Sequence, residues 1–562
     1  MRSHTTAVVL GFLSSVAVAA PLADVSLSAA DWTKQEWDAI VVGAGPAGII
    51  VADRLSEAGK KTLLLEDGGK SYGIVGGTDR PEWLSGTNLS RVDVPGLYKS
   101  VFADQGNLTC GSRVNAFGGC TIGGSSAINA GLYFQPPASD WDNFHPDGWK
   151  NADVAAATQR LYERQPSVEN YSMDGKYYLQ SGYEAAKQWL VEGAGYSDVV
   201  INDKADQKYQ VFGRPSYDYA NGQRGGPVTT YLQTALGRSN FQLQSGVRVQ
   251  RIARTGGKAT GVVATVDGAE ATIKLSSSGR VVLSAGAVQS PQILMYSAIG
   301  EPATLSRLST GGKLGDNAAP SAWINNTAVG AGLFDNPNTF IELESTAVSS
   351  YTYSYASPPE SDKQMFLNHR SGPYSFASQT SVFWTYINHT DGSLPTGVQG
   401  TIDSAGYSDF TDANTITLNI YGTSGLLSAG RVVLDDKLVA GPSDDVYYSD
   451  AAGRDADDIA RFIRDIFDRL PAAGLEPLNI ARNATKDEIK TYITTASAYA
   501  RGMVNHWSSS CRIGACVDAN AQVVGTENVH VVDGSIVAPL TVNPQFGIMV
   551  AAERASELIK AL

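Results

Sequence analysis

Histidine, cysteine and basic charge are all scarce in this chain, and each shortage narrows what it can do. Six histidines among 562 residues leave few candidates for a base working near neutral pH. The four cysteines, Cys110, Cys120, Cys511 and Cys516, fall in two local pairs with no histidine at ligand spacing near either, which argues against a metal centre. Lys and Arg number 43 against 56 Asp and Glu, a formal net charge of −13 with no offsetting basic cluster, so neither nucleic acid nor a membrane surface is expected as a partner. Beyond the N-terminus no apolar run is long enough to span a bilayer. Repeats at a solenoid period and low-complexity tracts are also missing.

What is present begins with a leader. Arg2, an apolar run from Ala7 to Val18 and the small residues after it read as a secretory signal peptide over residues 1–20, cleaved near Ala19 or Ala20. The mature protein is then expected to be secreted and extracellular. An oxidising compartment favours two disulfides, and sequence proximity favours Cys110–Cys120 and Cys511–Cys516 among three possible connectivities. Six Asn-x-Ser/Thr sequons, at Asn88, Asn107, Asn170, Asn325, Asn388 and Asn483, are candidate glycosylation sites.

The most informative stretch runs from Trp37 to Gly69. An apolar run (Ala39 to Val42) leads into Gly43-Ala44-Gly45-Pro46-Ala47-Gly48, a helical pattern follows through Leu55, and a second apolar run, Thr62 to Leu65, closes on Glu66. This is the strand, glycine turn, helix, strand, acid order of a dinucleotide-binding βαβ unit. Gly43 permits the tight turn, Gly45 lets backbone amides approach a pyrophosphate at the positive end of the helix, and Gly48 lets helix and strand pack closely. Glu66 stands 23 residues beyond Gly43, near the roughly 20 expected of a ribose-binding carboxylate.

Further along, Ser85 to Asp142 reads as irregular and glycine-rich, Asp153 to Arg164 and Tyr183 to Glu192 as helical, and Phe241 to Leu283 as strands. Ala319 to Ser443 is β-rich, with the alternation Thr415-Ile416-Thr417-Leu418-Asn419-Ile420. A helix is expected at Ala456 to Leu470, a strand at Val529 to Asp533 and a last helix at Ile548 to Leu562. The order predicts an α/β protein whose nucleotide domain is assembled from the beginning, middle and end of the chain, with a substrate domain inserted between.

Three further segments resemble the glucose–methanol–choline (GMC) oxidoreductase family. Phe117 to Asn129, with Gly131 beyond, resembles its glycine–serine signature; Ser284 to Leu294, ending in Ile299-Gly300, its second signature; and Asn505-His506-Trp507, Val532-Asp533-Gly534-Ser535 and Asn543-Pro544-Gln545 its C-terminal stretch. The resemblance implies FAD as cofactor and a Rossmann-like FAD-binding domain (36–84, 220–318 and 500–562) with an inserted α+β substrate domain (85–219 and 319–499) on an antiparallel sheet, including a flavin-covering loop. In motif detail the chain is most similar to the flavin domain of fungal cellobiose dehydrogenase. Its βαβ unit starts soon after the leader, so no haem domain is expected, and electrons would leave for oxygen, a quinone or a separate redox partner.

The resemblance also assigns roles. Alcohol oxidation removes a hydroxyl proton and a hydride from one carbon, and the proton needs a base, a role that suits histidine. His506 alone sits at the family's base position, and Asn543 would hold the substrate oxygen beside it. Gly123, Gly124, Ser125, Ser126 and Asn129 resemble the loop beside the pyrophosphate and flavin, Val249 the backbone position that pairs with adenine, and Asp533 and Gly534 the C-terminal flavin contact. Cys120 stands where some members attach FAD through histidine, so non-covalent FAD is expected. Trp507 is equally a ring for stacking a substrate or a core residue. The expected activity is oxidation of a carbohydrate or alcohol hydroxyl. Aryl alcohols or phenolic compounds come second, and a lyase that keeps FAD for structure, or an electron carrier to a secreted partner, stands as the alternative class.

Overall fold

The computed structural model describes residues 32–562, so the expected signal peptide lies outside the described residues. The chain runs through β1 (Glu36–Val42), α1 (Pro46–Glu57), β2 (Thr62–Glu66) and α2 (Asn151–Arg164). Then follow β3 (Phe241–Ser245), β4 (Arg248–Thr255), β5 (Lys258–Val266), β6 (Ala269–Leu283) and α3 (Gln289–Tyr296). The second half holds β7 (Pro337–Glu344), β8 (Gln379–Ile387), β9 (Thr396–Asp403), β10 (Thr415–Gly422), α4 (Arg454–Phe467), β11 (Val529–Val531) and α5 (Gln545–Ala561). The helix expected from Tyr183 to Glu192 is α-helical to Lys187 and then widens to a π-helix over Gln188–Glu192.

One sheet is ordered β3–β2–β1–β6–β5–β4, with β11 also beside β6. β1 pairs in parallel with β2 and with the C-terminal end of β6, whose N-terminal part turns antiparallel onto β5. The strand expected at Val281–Leu283 is therefore the end of a 15-residue strand serving two neighbours. Ile40, Val41, Leu63, Leu64, Val281 and Val282 are all fully buried, as continuous apolar runs must be when helices cover both faces of a parallel sheet.

The second sheet has β7–β10–β9–β8 as its antiparallel centre. Here the period-two alternation has a geometric meaning. Ile416, Leu418 and Ile420 of β10 join Ile459, Ile463 and Phe467 of α4 in one apolar core. Thr417, Asn419 and Tyr421 point the other way, into a cavity.

Two boundaries differ from those drawn on the sequence. Ala500–Met503 adds to β7 in the second sheet, although it lies within the segment assigned to the nucleotide domain. Conversely, the small sheet of Ala331–Leu333, Gly430–Leu434 and Ala440–Pro442 carries Leu333, Val432, Leu434 and Ala440 into the core of the first. Both segments are short, and long-range pairing rather than local pattern decides where a short strand goes.

The last helix fastens the first unit together through one carboxylate. Glu553 of α5, 1% exposed, accepts from Arg54 of α1 at 2.8 Å, from Arg160 of α2 at 3.3 Å and from the Tyr231 hydroxyl at 2.6 Å. Removing one member of a buried ion pair strands the other, at a cost of about 3–5 kcal/mol. Glu553→Ala should therefore lower the urea unfolding midpoint clearly, and an unchanged midpoint would show that this junction does not hold the helices together.

Candidate active site

A cavity of about 1430 Å³ is walled by residues of both sheets, larger than the roughly 300–1,000 Å³ of an ordinary small-molecule pocket. One arm begins at the glycine turn. Gly43 has φ +102°, and a Cβ there would lie 2.4 Å from the Ser284 carbonyl oxygen; a Cβ on Gly48 would lie 1.9 Å from the Gly43 oxygen. Both glycines are thus demanded by the fold itself. Gly45 differs: a Cβ on it would meet protein only at 3.9 Å and would otherwise occupy the cavity. As the N-cap of α1, Gly45 offers no side-chain hydrogen bond, Pro46 follows it, and the amides of the first turn, including Ala47, have no capping side chain.

Glu66 closes β2 at the same end. Its carboxylate accepts from the Ala44 and Gly68 amides at 2.8 and 2.9 Å, and burial raises its pKa to about 7. An ionised carboxylate has about four lone-pair sites, so two remain. Val249 also lines this arm, and the β4–β5 register breaks directly after it, as at a bulge.

The second glycine segment lies on the first. Gly123 donates to the Ala44 carbonyl at 2.7 Å, and a Cβ on Gly124 would come within 2.8 Å of Gly45 Cα. Ser126 Oγ turns back to the Gly123 carbonyl at 2.7 Å, whereas Ser125 is exposed toward the cavity. Asn129 accepts from buried Arg224 at 2.9 Å and also bonds Gln545 at the start of α5. Arg224 itself carried no sequence signal. Asp533 and Gly534 line the cavity, but the Asp533 carboxylate is occupied by the Gly286 amide (2.9 Å), Ser290 Oγ (2.6 Å) and the Ser535 amide (2.8 Å). Its side chain joins two turns, which leaves cavity contact to the backbone.

Both expected disulfides are present. Cys110–Cys120 lines the cavity wall, where Gln289 donates to its sulfurs at 3.1 and 3.2 Å. Among the described residues no His, Cys, Asp and Glu side chains cluster as a metal site.

At the other arm the expected catalytic pair comes together across 37 residues of sequence: Asn543 Nδ2 lies 3.3 Å from His506 Nε2. Asn505 has φ +65°, a conformation asparagine tolerates better than most residues. Asp335, just before β7, accepts from the Asn505 and His506 amides at 3.1 and 2.7 Å and from the Tyr447 hydroxyl at 2.7 Å. The His506 ring meets Asn336 Oδ1 at 2.9 Å through Nδ1, and its burial pulls its pKa down to about 3. Asn543 is held in turn by Gln399 at 2.7 Å and by the Tyr421 hydroxyl at 3.3 Å. Asp335, Asn336, Gln399 and Tyr421 were not singled out by sequence; only the alternation that places Tyr421 on the same face as Asn419 hinted at them. His506 is the only histidine lining the cavity among the described residues. Trp507 lines the cavity and packs against the first core.

Comparison with known proteins now decides the family. Residues 38–338 match the N-terminal domain, and residues 427–552 the C-terminal domain, of GMC oxidoreductases. The chain belongs to the GMC oxidoreductase family. It is an FAD-dependent oxidoreductase, and the cavity fits that cofactor: Gly45 leaves room for a phosphate at an uncapped helix end, and Glu66 waits at the end of β2.

An uncharacterised GMC-type oxidoreductase of Rhodococcus erythropolis is 26% identical over 551 residues, covering 93% of this chain and 98% of that protein. An oxygen-dependent choline dehydrogenase of Rhizobium johnstonii is 29% identical over 332 residues, 56% of each chain, so the match spans about half the length of that enzyme. Among solved structures, a formate oxidase superposes with TM-score 0.73 at 16% identity, covering 94% of this chain and 98% of that one. A fungal aryl-alcohol oxidase does so with TM-score 0.67 at 17% identity, covering 94% and 99%. These two share the fold.

The glycine contacts separate two kinds of damage. Gly45→Val should purify without the yellow flavin absorbance, yet match the thermal midpoint of the FAD-stripped parent. Gly48→Ala should lower the midpoint itself. A Gly45→Val protein as yellow as the parent would remove the phosphate-side assignment of this turn.

Proposed function

We propose that this protein is a secreted oxidoreductase that oxidises a hydroxyl-bearing carbon of a carbohydrate, with His506 as the base and Asn543 as its partner on the substrate oxygen. The observation that carries the reading is the His506–Asn543 pair at 3.3 Å on the cavity wall, beside a polar sheet face. In its neutral form His506 takes the hydroxyl proton at Nε2. Asn543 Nδ2 donates to the same oxygen and steadies the negative charge that develops there. Bound FAD supplies the hydride acceptor. Gly43, Gly45, Pro46, Ala47, Gly48 and Glu66 hold its dinucleotide end, with Val249 at the adenine. Gly123, Gly124, Ser125, Ser126, Asn129, Asp533 and Gly534 lie along the rest. Cys120 is engaged in a disulfide, which favours non-covalent attachment. Electrons then pass to an external acceptor.

The sheet face supports the carbohydrate reading. Asn338 Oδ1, Gln379 Oε1 and Asn419 Oδ1 are buried without a hydrogen-bond partner, and all three residues line the cavity with Thr401 and Thr417. Buried acceptors left unpaired are costly. A ligand with several hydroxyls satisfies them, whereas a benzylic alcohol brings one. Secretion is supported by the two disulfides and by the exposure of all six sequon asparagines.

Anaerobic bleaching of the flavin band across cellobiose, glucose and aryl alcohols tests the substrate reading: sugars should bleach it, and bleaching by aryl alcohols alone would overturn the carbohydrate assignment. His506→Ala should retain FAD yet lose all but a residue of substrate-driven bleaching, about 10²-fold or more, the usual share of a general base. The pH dependence follows from the lowered pKa. The base works unprotonated, so bleaching should hold level as pH falls from 7 to 5, where an ordinary histidine near 6.5 is almost wholly protonated. A steep loss with a midpoint near 6.5 would contradict this.

A further inference from the structure

We infer that the tautomer of His506 is imposed from both sides by two directional hydrogen-bond chains, which makes Asn336 and Gln399 positioning residues for the reaction. The inference rests on the reading of His506 as the base, and it concerns which ring nitrogen is free to act.

The first chain starts from a group that can only accept. The Gly422 carbonyl carries no proton, so the group 2.6 Å from it must be the Asn336 amide nitrogen. This orients the Asn336 side chain and leaves Oδ1, an acceptor, 2.9 Å from His506 Nδ1. The contact requires the proton on Nδ1.

The second chain starts from a group that can only donate. The Trp384 indole N–H is shared between the Thr541 carbonyl and Gln399 Oε1, both at 3.1 Å; because the indole can only donate, the Gln399 oxygen faces it and the amide nitrogen turns toward Asn543 Oδ1 at 2.7 Å. The Tyr421 hydroxyl donates to the same oxygen at 3.3 Å. What Asn543 has left for His506 is its amide N–H, 3.3 Å from Nε2, and this requires a lone pair there. An acceptor-only end and a donor-only end, reached through different strands, thus demand one state: neutral, protonated on Nδ1, with the Nε2 lone pair toward the Asn543 amide. Asn and Gln amides can be placed either way round in isolation, but here the Gly422 carbonyl and the Trp384 indole remove the choice.

Sheet register builds the second chain. Trp384 faces Gln399 across β8–β9, and Gln399 faces Tyr421 across β9–β10. Trp384 and Gln399 are fully buried, and Asn336 and Asn543 are 5% and 7% exposed, so solvent is poorly placed to stand in for a missing donor or acceptor.

The deciding variant is Gln399→Glu in the FAD-loaded protein, nearly isosteric with the parent. A carboxylate cannot donate to Asn543, so the Asn543 amide should turn over and present its oxygen to Nε2. Substrate-driven flavin bleaching at pH 7 should fall at least about tenfold, the low end of what a misdirected base forfeits, with KM little changed. Acidification should restore it, because the introduced carboxyl, its pKa raised by burial, becomes a donor once protonated. The parent has no reason to speed up in acid. Asn336→Asp provides a second line: an anionic acceptor on Nδ1 should shift the acid limb of kcat/KM to higher pH. Parental rates at every pH in Gln399→Glu, or a loss that acid does not reverse, would overturn the relay, as would an unmoved acid limb in Asn336→Asp. His506→Ala measured alongside separates the two ideas. If it is inactive while Gln399→Glu behaves as the parent, the relay alone fails; if it is active, the base assignment fails and the relay with it.

Discussion

Four main-chain contacts that tolerate no Cβ hold the cofactor arm of this molecule together. Gly43 rests on Ser284, Gly48 on Gly43, Gly124 on Gly45 and Gly68 on Cys120, with an added Cβ meeting backbone at 2.4, 1.9, 2.8 and 1.7 Å respectively. They join β1, α1, the turn after β6 and the loop that ends at Asn129 into one block whose inner surface is largely peptide. A surface of that kind presents amides rather than side chains, which is what a pyrophosphate needs at a helix end. It also explains the traffic around the block. Asn129, Arg224 and Gln545 tie the loop to the start of α5, and Glu553, two turns further along that helix, gathers Arg54 and Arg160. Cofactor arm and helical layer are braced by the same terminal helix.

The other arm obeys a different rule. The second sheet is amphipathic across its thickness: Ile416, Leu418 and Ile420 are packed under α4, while Thr417, Asn419 and Tyr421 face open space. A half-solvated antiparallel sheet normally shows such alternation toward bulk water. Here the polar face looks into the cavity, with the amides of Gln379 and Gln399 partly engaged by Tyr98, Trp384 and Asn543. A rigid strand scaffold suits this use, because register fixes the spacing of the side chains to within the pleat. Asn543 and His506 come from loops, and the sheet row Trp384–Gln399–Tyr421 gives them a fixed reference.

What could be read from sequence follows from how local each feature is. The β1–α1–β2 unit was legible because glycine spacing, apolar runs and the terminal acid lie within one short stretch. His506 stood out because histidine is rare and its neighbours match a family pattern. The disulfides followed from proximity. Sheet membership of Ala500–Met503 was not legible, since a four-residue strand carries too little pattern to reveal its partner. Nor was Arg224, whose role depends on loops brought together from three parts of the chain. Asn336 and Gln399 were invisible for a further reason: asparagine and glutamine next to strands are ordinary, and only the direction of their hydrogen bonds distinguishes them. Asp533 stood where the family pattern placed it, yet its carboxylate proved to be a fastening between turns.

The site also differs from a carboxylate-backed histidine in what it can do. In a serine-protease triad an aspartate stabilises the imidazolium that forms. Among the described residues no carboxylate is hydrogen-bonded to the His506 ring; Asp335 is spent on the Asn505 and His506 backbone amides and on Tyr447. Asn336 can accept a hydrogen bond from Nδ1 but cannot take its proton. Burial holds the pKa of His506 well below the ordinary value, which keeps the ring neutral over a wide pH range. On the proposed assignment, a base so weakened would take the proton only while the oxygen is held by the Asn543 amide and the carbon gives up its hydride. On the same assignment, the lowered pKa would resist idle protonation in acid and confine chemistry to a substrate seated against both residues.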